Sequence, residues 1–96
     1  MTANDRVVHV TLLTQGDCGL CEHAKKVLAR ISDDQSLEVT EVSLSSAEGQ
    51  QAAAAAGVLF APGILLDGAP FSYGRLSERR LRKALIARFQ DTRSST

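Results

Sequence analysis

The chain has no tryptophan, one tyrosine and three phenylalanines in 96 residues, so its core has to be built from Val, Leu, Ile and Ala. It carries no net charge at neutral pH, which removes the global field that would recruit nucleic acid or an anionic membrane. No stretch approaches the ~18 consecutive apolar residues a membrane span needs. The start, Met1 to Arg6, is polar and shows no basic segment followed by an apolar one, so no export signal is read there and a cytoplasmic location is expected. Histidines number only two, His9 and His23, and they fall on different elements. A structural zinc site takes four ligands, usually from a second C-x-x-C or an H-x-x-x-H pair, and neither is present. At this length one domain, residues 1–96, is expected, burying roughly 60–65% of its unfolded surface, with 1–5 and 92–96 as flexible ends.

What is present is a single pair of cysteines, Cys18-Gly19-Leu20-Cys21. Val7 to Leu13 upstream is a β-type segment; Glu22 to Ile31 downstream is a helix-type segment. A C-x-x-C pair where a strand hands over to a helix, in a compartment that keeps thiols reduced, reads as a reversible dithiol. A metal half-site and two inert core thiols are the rival readings. The charges are also unevenly placed: the first half of the chain is acidic, and the residues from Arg75 on are basic. The run Arg79-Arg80-Arg82-Lys83 is expected to be a solvated helix face.

The order of elements reads β-α-β-α-β-β-α. Arg6 to Thr14 is apolar on both parities, as a central strand covered on both faces is, with His9 packed or partly buried. Gln15-Gly16-Asp17 turns, Asp17 serving as N-cap. The first helix spans about Cys18 to Ser32, with Ala24, Val27, Leu28 and Ile31 on one face and His23 on its solvated side. Leu37 to Leu44 is a more exposed strand, broken by Glu38 and Glu41. Ser45-Ser46-Ala47-Glu48 reads as a capping box opening an alanine-rich helix that Gly57 closes. Ile64-Leu65-Leu66 and Ala69 to Tyr73 form a hairpin around Asp67-Gly68, with Pro70 demoting the second strand to an edge. Ser77 caps the last helix, Leu76 and Leu81 staple its start, and Leu81, Ala84, Leu85 and Phe89 form its apolar face. An α/β fold follows: a mixed four-stranded sheet with helices on both faces and a right-handed first crossover.

This element order, a C-x-x-C at the start of the first helix and a proline just before the third strand resemble the thioredoxin fold. The Leu12-Leu13-Thr14-x-x-x-Cys18-x-x-Cys21 stretch is similar to glutaredoxins and small glutaredoxin-like proteins. The resemblance implies a thiol–disulfide oxidoreductase with Cys18 as nucleophile and Cys21 as resolving cysteine. It implies that Pro62 is the cis-proline facing them, and that Ala61 offers its backbone to an extended substrate. Gly19, Leu20, Gly74 and Arg75 complete the implied substrate-binding set, with Arg75 a candidate grip for a carboxylate. Where glutathione-binding members carry an aromatic residue inside the pair, Thr-Val before the proline and Gly-Gly after the last strand, this chain has Leu20, Phe60-Ala61 and Tyr73-Gly74. Leu12 and Asp17 stand where thioredoxins carry a buried Asp and a Trp.

A thiolate, not a thiol, attacks a disulfide, and the start of a helix favours an anion. Cys18 is therefore expected to be the more readily ionised sulfur, with Asp17 and Glu22 as opposing charges. The expected partners are a disulfide-containing protein or small-thiol substrate and an electron donor, either a reductase or glutathione. No tightly bound cofactor, no metal ligand set, no nucleic acid and no membrane are expected. Two other classes stay open: a non-enzymatic binding module on the same fold, and a metal or iron–sulfur carrier using the same cysteines.

Overall fold

The computed structural model describes residues 7–94. The elements run β1 (Val8–Thr14), α1 (Gly19–Ser32), β2 (Leu37–Ser43), α2 (Ala47–Ala56), β3 (Gly63–Leu66), β4 (Ala69–Tyr73) and α3 (Glu78–Ser94). They form one four-stranded sheet in the order β2-β1-β3-β4. β1 and β2 are parallel, and β3 is antiparallel to both β1 and β4. The expected architecture is therefore the one observed. The expected flexible segment 1–5 lies outside the described residues, as do 95 and 96; α3 continues through Thr92 and Arg93 to Ser94.

Side-chain alternation along β1 decides where the layers go. Val8, Val10 and Leu12 face one way, and with Ile64 and Leu66 they pack against Ala24, Val27, Leu28 and Ile31 of α1 and Leu81 and Leu85 of α3. Leu13 and Leu65 face the other way and meet Ala53 of α2. This second cluster does not extend to His9, so that residue is exposed rather than packed, its Nδ1 lying 2.9 Å from the Glu38 carboxylate on its β2 partner. β2 is an edge strand and correspondingly exposed. β4 is the other edge, where Pro70 is tolerated.

Caps set the helix boundaries. Ser46, one residue later than the expected capping box, caps α2: its Oγ accepts the Gly49 N–H at 2.9 Å. Register explains the shift. Gly49 packs on the β2–α2 connection so closely that a Cβ there would run into the Ser43 carbonyl, and starting the helix at Ser46 brings this glycine inward. Gly57 closes α2 in the left-handed region, at φ 73°. Ser77 caps α3, and Leu76 and Leu81 are both buried, as a staple requires. In the basic run of α3, Arg79, Arg80 and Lys83 are exposed as expected, while Arg82 is half-buried and bridges Glu78 and Asp34. Arg30 of α1 donates two further bonds to the Glu78 carboxylate, so the two helices on one face are tied together. Among the described residues no helix is long and apolar enough to cross a membrane.

The β3–β4 turn is left-handed at both central residues, Asp67 at φ 50° and Gly68 at φ 84°, the geometry that closes a two-residue hairpin with the right twist. Asp67 also accepts the His9 N–H at 2.9 Å and pairs with Arg88 at 2.9 Å. Its carboxyl is held below its ordinary range, mainly by the His9 N–H and then by Arg88. A carboxyl with a lowered native pKa stabilises the fold above its unfolded pKa, near 4, and loses that contribution as pH falls through the native value. Asp67→Asn keeps the left-handed turn and an acceptor for His9. It is expected to cost under about 1 kcal/mol at pH 7, and urea unfolding should show the gap to wild type closing as pH falls below about 4. A gap that persists unchanged in acid contradicts this reading of the carboxylate.

Candidate active site

Strand register brings three chain segments to one end of the sheet. Leu13 pairs with Gly63, and Gly63 pairs with Tyr73. The end of β1, the start of β3 and the end of β4 are therefore neighbours. The connections at these points hold Cys18, Pro62 and Gly74.

Cys18 is the N-cap of α1, in extended conformation, and its Sγ accepts the Cys21 N–H at 3.0 Å. The same N-cap bond is made by an ordinary hydroxyl at the other two helices, from Ser46 and Ser77. Serine is a preferred residue at this position; here a sulfur takes its place and is also bonded to Cys21. Asp17, expected to be the cap, instead sits in the left-handed region at φ 52°, which lets the chain turn so that the next residue caps. Cys18 and Cys21 are joined as a disulfide with Cα atoms 5.2 Å apart. Cys18 is half-buried, whereas Cys21 is only 2% exposed.

The two sulfurs therefore differ in environment. The helix start presents unpaired N–H groups and partial positive charge to the Cys18 sulfur. Glu22, an expected opposing charge, is engaged by Lys25 at 3.1 Å. Glu22 and then Glu41 hold the Lys25 ammonium above its ordinary pKa, so the acid's field is partly neutralised. Cys21 shares the buried side of α1 with Ala24 and Leu28, reachable through Cys18 but not from solvent.

The second segment is Leu59 to Pro62. The Ala61–Pro62 bond is cis, and both residues are buried. Ala61 lies just outside the ladder, whose first β3 residue is Gly63. The Pro62 carbonyl accepts the Gly74 N–H at 2.8 Å, which fastens this loop to the end of β4. Gly74 has φ 82°, and a Cβ there would lie 3.1 Å from the Phe60 ring. The left-handed backbone favours glycine at this position, and the Phe60 ring packs close over it. Of the remaining expected site residues, Gly19 and Leu20 form the exposed first turn of α1, and Arg75 is exposed beyond Gly74.

Two features differ from, or go beyond, the sequence reading. His23 is half-buried, not solvated: its Nδ1 is buried without a hydrogen-bond partner among the described residues. It stands one helical turn before buried Val27, on the flank of the packed face. Phe60 and Tyr73 form an edge-to-face pair with ring centroids 5.1 Å apart, yet Phe60 is 53% exposed and Leu59 beside it 77%. The sequence signal was available: two large apolar residues in a loop, shortly before a proline, with no periodicity to bury them.

The family model for the Glutaredoxin-like domain (DUF836) matches residues 9–86. No curated protein matches the chain. Among solved structures, a mutant thioredoxin from Halobacterium salinarum NRC-1 superposes with a TM-score of 0.63 at 23% identity, covering 85% of this chain and 74% of that one. At that identity the likeness concerns the fold. With a four-stranded mixed sheet, a C-x-x-C pair at the first helix start and a family match over most of its length, this chain belongs to the glutaredoxin-like family and has the thioredoxin fold.

Proposed function

We propose that this protein is a thiol–disulfide oxidoreductase that reduces disulfides through the Cys18/Cys21 dithiol. The observation that carries the reading is the Cys18 sulfur at the N-cap of α1, partly open to solvent and bonded to a buried Cys21. In the reduced protein the Cys18 thiolate attacks a substrate disulfide. A bond forms between Cys18 and one substrate sulfur, and the other leaves as a thiolate that takes a proton from water. The Cys21 thiolate then attacks Cys18; the Cys18–Cys21 disulfide forms, and the second substrate sulfur leaves. Two electrons pass from the pair to the substrate. The oxidised pair is reset by a thiol donor, glutathione or the dithiol of a reductase, and the cytoplasm is the compartment whose poise favours that direction.

The test is a single turnover. The protein is reduced with dithiothreitol, freed of it, and mixed with 2-hydroxyethyl disulfide. Loss of both protein thiols with release of two equivalents of mercaptoethanol is expected. A protein that keeps both thiols through this treatment would overturn the proposal in favour of a binding module.

A further inference from the structure

Among the described residues, Lys25, Arg30, Arg82 and Arg88 are each held by a carboxylate. Arg75, Arg79, Arg80 and Lys83 are exposed and make no ion pair, a state they share only with Lys26 on α1. Their placement works against the fold. Arg79 and Arg80 stand in the first turn of α3, the end whose partial positive charge favours acids and disfavours cations. Glu78, the acid of that turn, is taken up by Arg30 and Arg82. Lys83 comes one helical turn after Arg79 and Arg80, so the three like charges share one side of the helix and repel. Local stability alone would put acids here. Ile86, on the same side beyond Lys83, is 49% exposed.

The row of cations starts at the redox end of the sheet. Arg75 follows Gly74, whose N–H is bonded to the Pro62 carbonyl. Further along α3, Arg88 reaches Asp67 in the β3–β4 turn at the opposite end, so the helix carries the row away from the disulfide along its flank. With no net charge on the chain, the attraction is local: unpaired cations beside the site draw a carboxylate-rich surface and fix how it docks. Thiol exchange also needs a sulfur at Cys18, which a polypeptide supplies and a nucleic acid or a lipid surface does not. We infer that the partner reduced at Cys18 is a polypeptide disulfide carried beside an acidic surface, and that Arg79, Arg80 and Lys83, continued toward the site by Arg75, hold that surface. Ile86 supplies an apolar contact at the far end of the row. This rests on the proposed reductase activity: the Cys18–Cys21 disulfide forms, and the partner's disulfide takes up two electrons and two protons to become two thiols.

The experiment measures second-order rates of thiol loss for the pre-reduced protein with three symmetric peptide disulfides. They share one sequence except for a block of Glu, Gln or Lys about four to ten residues beyond the cysteine, which extended chain sets about 13–33 Å away. At about 20 mM salt the Glu peptide should react about tenfold or more faster than the Gln peptide, and the Lys peptide more slowly than either. At about 0.5 M salt the three rates should fall within about twofold of one another, as screening requires. Arg79→Gln/Arg80→Gln/Lys83→Gln should lose the preference and melt no lower than wild type, because no stabilising pair is removed. Arg79→Glu/Arg80→Glu/Lys83→Glu should reverse the order, with the Lys peptide fastest. Equal rates at low salt, a preference that ignores salt, or a clear fall in melting temperature of the Gln variant would overturn the inference and leave the reductase intact. A salt-sensitive dimer of the wild type, or its binding to phosphatidylglycerol vesicles, without any preference among the peptides would overturn it too and give the row to that occupant. No reaction with any peptide or with 2-hydroxyethyl disulfide would overturn the reductase reading itself. The peptide comparison is made on the wild-type protein, so it stands even if a variant misfolds.

Discussion

Cys18→Ser is expected to abolish disulfide reduction, by at least about a thousandfold, while leaving the fold intact. The two halves of this expectation have separate causes. Activity disappears because a serine hydroxyl is not ionised at neutral pH and forms no mixed disulfide, and loss of the attacking atom is the costliest change a nucleophilic site can suffer. The fold persists because the position is an N-cap. The sulfur accepts the Cys21 N–H, and a serine oxygen makes the same bond at α2 and α3. Relative to the reduced wild type, Cys18→Ser should be as stable or slightly more so, whereas Cys18→Ala should lose about 1 kcal/mol through the missing cap. Thermal unfolding under reducing conditions, run beside the turnover assay, checks both. Retained turnover in Cys18→Ser would move the nucleophile elsewhere. Equal stability of the Ser and Ala variants would remove the capping role.

Leu12→Ala should have the largest effect on stability. Leu12 is fully buried in the strand at the centre of the sheet, opposite Ile64, within the cluster that joins the sheet to α1 and α3. Truncation removes the side chain's transfer free energy and leaves a cavity between layers, a cost of about 2–5 kcal/mol. A domain of this size has only about 5–15 kcal/mol in total. The melting temperature should fall by roughly 10–30 °C, at about 4–8 °C per kcal/mol. Chemical denaturation should give the same loss with an unchanged m-value. A cost below about 1 kcal/mol would mean that the core is not organised around β1.

The fold was legible because local signals agree with one another. Alternation in β1, the Asp67-Gly68 hairpin, Gly57 at the end of the alanine helix and Ser77 with its staple each specify one element boundary. The two cysteines were legible for the same reason, since their spacing and the strand-to-helix context coincide. The readings that moved did so by one residue or one face. Asp17 and Cys18 are adjacent and both able to cap; a left-handed Asp17 decides it. Ser45 and Ser46 are likewise interchangeable in sequence, and the tight seat of Gly49 against the Ser43 carbonyl decides that. His9 and His23 exchanged environments because burial of a flanking residue depends on how far the covering layer reaches. α2 leaves the first end of β1 open, and the packed flank of α1 takes in His23. The exposed Phe60–Tyr73 pair was not foreseen, because the two rings lie on different segments and meet only through the register of the β3–β4 hairpin.

The measurement closest to the central claim is covalent capture on Cys21→Ser. This variant keeps the attacking sulfur and lacks the resolving one, so the reaction with a peptide disulfide should stop halfway. Mass spectrometry of the product is predicted to show one peptide half bound per protein, attached to Cys18 and released by dithiothreitol. Absence of the adduct, or full turnover in this variant at the wild-type rate, would contradict a mechanism in which Cys18 attacks and Cys21 resolves.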